Sequence, residues 1–186
     1  MGWLQRVGPL ALWLVIAFHA PVQAAGPARN AERILAIGVL AHDQGPFSDH
    51  NENGVDLNLE VQFAPLDLPG SPRPHLGISA NFGGETSAAY AGLGFRILET
   101  GPWFADGLLG AGVHNGPLHK EPVRCTLYSD CGYGVRVLPR FGLEIGYRIS
   151  PVASVSLLLD HMSHKWIVDG ENEGLDNIGL RYQHAY

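Results

Sequence analysis

The sequence is short of charge, of basic clusters and of long apolar runs. Charged residues make up 16% of the chain, whereas soluble domains contain about 25%. The formal net charge is -6 and basic residues do not cluster, which argues against a nucleic acid as the partner. The one prominent apolar run is shorter than the roughly twenty residues that a transmembrane helix needs. Any membrane span must therefore be built from β-strands.

The prominent apolar run lies at the N-terminus, at residues 7–18. A short segment with one positive charge precedes it, and the small residues Val22 and Ala24 follow it. This order is typical of a secretory signal that is cleaved after a small residue. We therefore predict a signal peptide at residues 1–24 and an exported domain at residues 25–186. A retained anchor helix is the alternative.

The chain has only two cysteines, Cys125 and Cys131, and they lie close together in one long polar segment. Disulfides persist in the oxidising compartments that exported proteins reach. The pair therefore predicts a disulfide that closes this segment. A metal site would need more ligands nearby, and His114 and His119 lie too far along the chain. We predict no metal and no cofactor.

Apolar and polar residues alternate over much of the exported chain. In residues 55–63 the apolar side chains occupy the odd positions and the polar side chains the even ones. This two-residue period is that of a strand with one apolar face. The stretches at 33–42 and 103–113 are less regular. With them, eight strands are predicted, at residues 33–42, 55–63, 75–82, 89–97, 103–113, 135–149, and around 154–163 and 176–186.

An even number of alternating strands after a signal peptide is the pattern of a small outer-membrane β-barrel. The sequence thus predicts an all-β fold, an eight-stranded antiparallel transmembrane barrel of the bacterial outer membrane, with polar faces toward the lumen. Eight strands leave just enough interior for side chains, so the charged lumen residues should pair and fill it. These residues are Glu60, Arg96, Arg136, Arg140, Glu144, Arg148, Asp160 and Arg181. A soluble sandwich or lipocalin-like barrel with an apolar interior is the alternative, because the period is the same.

Three polar side chains share the apolar side of the last two strands. His161 and Ser163 continue the apolar side of the first strand, and Asp176 lies on that of the second. In an antiparallel hairpin these residues place an imidazole, a hydroxyl and a carboxylate on one face, the groups of a Ser-His-acid hydrolase. With both termini in the periplasm, they lie near the outer rim. On the pattern alone, rim residues that face lipid headgroups are the alternative.

The motif His161-x-Ser163, followed by Asp176 and a strand that ends in an aromatic residue, resembles the lipid A 3-O-deacylase (acyloxyacyl hydrolase) family of outer-membrane barrels. The resemblance implies that Ser163 is the nucleophile, His161 the general base and Asp176 the acid. The family more often has Asn where this chain has His164, and its best-known form has Glu where this chain has Asp176. Either acid can orient an imidazole.

Three further residues are weaker candidates for the same site. Asn172 is the amide that we nominate as an oxyanion donor. Glu171 and Glu173 are fallback acids, because a β-bulge would shift the side that each residue faces.

We therefore expect a metal-independent serine esterase whose substrate is lipid A of lipopolysaccharide, with the 3-position implied by the resemblance. Its partners would be outer-membrane lipids, and pairing of barrels into a homodimer stays open. A phospholipase of similar barrel type is one alternative. A non-catalytic structural or adhesive barrel is the other.

Overall fold

A computed structural model of the protein describes residues 31–48, 52–119, 132–165, 167, 172 and 174–186. Among these residues, no helix is long and apolar enough to cross a membrane. The described chain forms eight strands: β1 Ile34–Ala41, β2 Val55–Gln62, β3 Arg73–Asn81, β4 Ala88–Thr100, β5 Trp103–His114, β6 Val137–Arg148, β7 Ala153–Met162 and β8 Leu175–Ala185.

The eight strands close into one antiparallel barrel in which each strand pairs with the next and β8 pairs with β1. The closing ladder runs from Ile34 opposite Ala185 to Ala41 opposite Ile178. Closure pairs the backbone N–H and C=O groups on both edges of every strand. This pairing is needed in the hydrocarbon core of a membrane, because unpaired backbone groups find no water to bond there. The predicted fold class and strand count are confirmed, and the less regular stretches are β1 and β5.

The polar faces of the strands point into the barrel and the apolar faces point outward. In β2, Asp56, Asn58 and Glu60 are buried, whereas Val55 on the opposite face is exposed. The other exposed apolar side chains on the strands include Leu35, Ile37, Val39, Leu76, Ile78, Leu109, Phe141, Leu143, Ile145, Leu157 and Leu180. A soluble barrel would bury such residues, so the alternative of an apolar interior is wrong.

Charged side chains pack the middle of the barrel. Arg181 donates to Glu60 at 2.7 Å, and Arg140 pairs with Asp160 at 2.7 Å. The Arg140 guanidinium lies 3.7 Å from the centre of the Tyr90 ring. Buried charges are tolerated where each has a partner, and these pairs fill the lumen as the sequence predicts.

The connections differ between the two ends of the barrel. We call the end opposite the chain termini the outer rim; it carries the connections at 42–54, 82–87, 115–136 and 163–174. The other end has tight turns at 101–102 and 149–152, and one longer connection at 63–72.

Arg136 departs from the prediction that it lies in the lumen. It is exposed at the outer rim and donates to the backbone carbonyls of His114 at 2.9 Å and Gly116 at 2.7 Å. The strand β6 begins one residue later, at Val137, so the alternation of faces does not extend to Arg136.

Candidate active site

The candidate active site lies on the outward face of β7 and β8, at the outer rim. His161 and Asp176 are opposite each other in the β7–β8 ladder, and His161 Nδ1 is 2.5 Å from Asp176 Oδ1. The His161 side chain is 21% exposed. When a carboxylate accepts the Nδ1 proton, Nε2 is left as the nitrogen that can take another proton.

Asp176 is fully buried although it shares the lipid-facing side of β8. The first outer loop, residues 42–48, covers it. The backbone N–H groups of Phe47 and Ser48 donate to Asp176 Oδ2 at 2.5 and 3.1 Å. Both oxygens of the carboxylate therefore have protein partners.

Ser163 follows the end of β7 and is hydrogen-bonded to Asn172. The Ser163 N–H extends the ladder to β6 by donating to the Pro139 carbonyl at 3.1 Å. The Asn172 Nδ2 atom donates to Ser163 Oγ at 2.9 Å. The His164 N–H donates to Asn172 Oδ1 at 2.7 Å, which fixes the orientation of the amide, because only its oxygen can accept.

The site thus consists of two hydrogen-bonded pairs at the outer ends of β7 and β8, His161 with Asp176 and Ser163 with Asn172. Within the described residues, no hydrogen bond joins the Ser163 hydroxyl to the His161 ring. Catalytic hydrogen bonds are often long or poorly aligned in ligand-free enzymes and tighten when the substrate binds. The two pairs contain the nucleophile, base, acid and amide that the sequence nominates.

The His164 side chain contacts the connection between β5 and β6. Its ring is buried, and its Nε2 atom lies 2.9 Å from the Tyr133 carbonyl oxygen. The amide beside Ser163 therefore comes from Asn172, on the other side of the β7–β8 connection.

Several predicted features lie outside the described residues. They are the fallback acids Glu171 and Glu173, the cysteines Cys125 and Cys131, and the signal peptide at residues 1–24. Their roles stay predictions. Across the part of the chain that the structure describes, no group of three His, Cys, Asp or Glu side chains is arranged to hold a metal ion.

A buried ionic cluster near the site carries no clear sequence signal. His42, just after β1, is fully buried, with Nδ1 3.0 Å from Asp56 and Nε2 2.9 Å from Glu52. Asp56 also accepts a hydrogen bond from Asn177, the neighbour of Asp176, at 3.1 Å. The cluster ties the start of the first outer loop to β2 and β8. In the sequence, His42 is an isolated histidine at a strand end.

Two carboxylates hold His42 in its charged form. Burial by itself lowers the pKa of His42, but the hydrogen bonds and negative charges of Asp56 and Glu52 outweigh burial and raise the pKa to about 9. The ordinary value is 6.5.

We expect this cluster to make the stability of the barrel depend on pH. A group whose pKa is raised in the folded state stabilises the fold fully below pH 6.5, and this contribution is lost as the pH rises through about 9. His42→Gln removes the titrating group. The unfolding free energy of the wild type minus that of His42→Gln should fall by about 3 kcal/mol between about pH 6 and about pH 10. Urea unfolding in detergent micelles measures it, and a difference independent of pH would contradict the expectation.

Comparison with known proteins identifies similar chains. A family model described as "Lipid A 3-O-deacylase (PagL)" matches residues 50–185. The crystal structure of the outer membrane enzyme PagL is similar at 14% identity and a TM-score of 0.60, over 82% of this chain and 99% of that chain. The Yersinia pestis outer membrane protein Ail in a phospholipid bilayer nanodisc matches at 13% identity and a TM-score of 0.46, over 82% of this chain and 99% of that chain. No curated protein matches the chain.

Proposed function

Since the chain belongs to the lipid A 3-O-deacylase family, we propose that it hydrolyses the ester of the 3-hydroxyacyl chain at the 3-position of lipid A, with Ser163, His161 and Asp176 as catalytic residues. The observation that carries the proposal is the His161–Asp176 hydrogen bond on the lipid-facing side of an outer-membrane barrel, two residues from a serine. The chemistry needs neither a metal nor a cofactor.

The two hydrogen-bonded pairs support the catalytic roles that we propose. Asp176 accepts the Nδ1 proton of His161, so Nε2 is the basic nitrogen. Nε2 takes the proton of the Ser163 hydroxyl while Oγ attacks the ester carbonyl. The bond to the sugar oxygen then breaks, His161 returns the proton to that oxygen, and an acyl ester of Ser163 remains. Water, deprotonated by the same nitrogen, attacks this ester, the bond to Ser163 Oγ breaks, and His161 returns the proton to Oγ as the hydroxy fatty acid leaves.

The tetrahedral intermediate carries a negative charge that needs a hydrogen-bond donor. The geometry around Asn172 supports this role, because the His164 N–H fixes Oδ1 and turns Nδ2 toward Ser163 Oγ. Donors aimed at the place where charge develops are often the largest single contribution to catalysis. Asn172 is therefore the oxyanion donor in this proposal.

The position of the site suits a substrate that stays in the membrane. His161 lies opposite Phe141 in the β6–β7 ladder, and Phe141 is exposed on the lipid-facing side. Lipid A that diffuses laterally to this face keeps its acyl chains in an apolar environment. The cost of moving those chains into water is avoided, about 0.8 kcal/mol for each CH₂ group.

Mass spectrometry of lipid A tests the function directly. The wild type, produced in a bacterium whose lipid A is known, should remove one 3-hydroxyacyl chain per molecule compared with an empty vector. The released fatty acid should match that mass loss. Unchanged lipid A would reject the deacylase and favour the structural or adhesive barrel.

Purified protein in mixed micelles separates the deacylase from a phospholipase. Lipid A and glycerophospholipids are supplied in separate assays under the same conditions. Hydrolysis of lipid A alone supports the proposal. Release of fatty acid from glycerophospholipid alone would assign the same site to a phospholipase.

Removal of the Asn172 amide should slow the chemical step. We expect Asn172→Ala to lower kcat by about 10²- to 10³-fold and to leave KM nearly unchanged, because the lost hydrogen bond is needed mainly in the transition state. Steady-state kinetics on lipid A in micelles measures both constants. Asn115→Ala, at an exposed amide in the connection between β5 and β6, is the control for loss of an amide at the outer rim. A normal kcat in Asn172→Ala would exclude Asn172 as the oxyanion donor.

A further inference from the structure

The first outer loop, residues 42–48, contacts both the acid and the base of the site. We propose that this loop is a positioning element of the active site, which holds the Asp176 carboxylate through backbone N–H groups and packs the Phe47 ring against His161. The inference rests on the proposed function, because the loop would act through these two residues.

The loop fixes which oxygen of Asp176 faces the imidazole. Phe47 and Ser48 donate their N–H groups to Oδ2 at 2.5 and 3.1 Å, while Oδ1 lies 2.5 Å from His161 Nδ1. A carboxylate held at one oxygen by two donors cannot rotate freely about its Cβ–Cγ bond. The second oxygen is therefore aimed at the ring before the substrate arrives, as preorganised catalysis requires.

Gly45 allows the loop to lie directly on the carboxylate. A Cβ atom at position 45 would stand 2.5 Å from Asp176 Oδ2, closer than real Cβ contacts come. Any other residue would push the loop or the carboxylate aside. Glycine at this position is thus explained by close approach to Asp176.

The loop is anchored to the strand that carries the acid. The Gln44 N–H donates to the Asp176 carbonyl at 3.0 Å, and the Asp43 N–H donates to Asn177 Oδ1 at 3.1 Å. Asp43 has a left-handed backbone conformation with φ of 54°, which turns the chain after β1. These bonds fix the position of the loop along β8, so that the N–H groups of Phe47 and Ser48 reach Asp176 Oδ2.

Phe47 supports the base from the lipid side. Its ring centre lies 5.4 Å from that of His161 at an interplanar angle of 66°, an edge-to-face contact. The Phe47 side chain is 65% exposed. The loop thus holds the exposed Phe47 ring against the His161 imidazole.

Variants of the loop test the inference. Gly45→Ala should lower kcat for lipid A about ten- to a hundredfold with little change in KM, because it displaces Asp176 without removing it. Phe47→Ala should lower kcat about three- to tenfold, and Phe47→Tyr should restore it, since an aromatic contact is worth about that factor. Gly83→Ala and Phe82→Ala, in the β3–β4 connection, are the matched controls and should stay within about twofold of the wild type.

A spectroscopic measurement separates positioning from loss of structure. With ¹⁵N-labelled histidine, the His161 Nδ1 proton bonded to Asp176 should give a low-field resonance in the wild type. Gly45→Ala should weaken or shift this resonance, and Asp176→Asn should abolish it. Folding of each variant is checked by the heat-dependent change in gel mobility of intact barrels. If Gly45→Ala does not fold, Ser48→Pro, which removes one of the two N–H donors, takes its place with a loss of about tenfold in kcat.

The outcomes distinguish the inference from the proposed function. A folded Gly45→Ala or Ser48→Pro variant with normal kcat and an unchanged Nδ1 proton resonance would overturn the inference, while wild-type deacylation would still support the function. Wild-type protein that leaves lipid A intact would reject the function. In that case the Nδ1 proton resonance alone still decides whether the loop holds Asp176 against His161.

Discussion

Ser163→Ala is expected to lower deacylation of lipid A by a factor of about 10³ to 10⁶, because this variant lacks the hydroxyl that we propose as the nucleophile. The barrel itself should be unaffected. Ser163 follows the last residue of β7, and its N–H bond to the Pro139 carbonyl at 3.1 Å is kept by alanine. Mass spectrometry of lipid A from cells that produce equal amounts of each protein measures the loss.

The control for this variant is Ser150→Ala, the same chemical change at a half-buried serine in a turn at the other end of the barrel. It should deacylate lipid A as the wild type does. Removal of the hydroxyacyl chain by Ser163→Ala at the wild-type rate would exclude Ser163 as the nucleophile.

Asp176→Asn is expected to lower kcat by about 10³- to 10⁴-fold, the size of effect known when the acid of a triad becomes an amide. The structure gives the reason. The N–H groups of Phe47 and Ser48 need an acceptor, so the single oxygen of the amide would turn to them. The NH₂ group would then face His161 Nδ1 and force that nitrogen to accept, which places the ring proton on Nε2. In that tautomer His161 cannot take the proton of Ser163.

Kinetics of Asp176→Asn and Asp176→Glu on lipid A in micelles check this expectation. The glutamate variant keeps an acceptor for the Nδ1 proton and should be at least about tenfold more active than the asparagine variant. If Asp176→Asn stays within about tenfold of the wild type, the acid lies elsewhere. Glu171→Gln and Glu173→Gln would then be measured in the same assay.

Much of the fold could be predicted from the sequence, because strands that face lipid on one side and the lumen on the other alternate apolar and polar residues. The alternation in residues 55–63 predicts which side chains of β2 enter the lumen, and Asp56, Asn58 and Glu60 are buried there. Arg136 could not be placed in this way, because alternation describes a residue only within a strand and β6 starts at Val137.

The candidate site was only partly accessible from the sequence. His161, Ser163 and Asp176 carry distinctive side chains at positions that the sequence pattern assigns to one face, so pattern and family resemblance together nominate them. The covering loop could not be foreseen, since Phe47 and Ser48 bind Asp176 through backbone groups that every such residue has, more than a hundred positions away in the chain. Gly45 is the one residue whose type reflects this contact, and a glycine in a loop has many ordinary explanations.

The packed interior also bears on how a cell can use this protein. Arg140, Arg181, Glu60 and Asp160 occupy the bore with paired charges, so we expect the described strands to leave no open channel for small hydrophilic solutes. Copies of the protein can therefore accumulate at the cell surface without weakening the permeability barrier of the outer membrane. Any change in that barrier would come from altered lipid A around the protein and not from leakage through it.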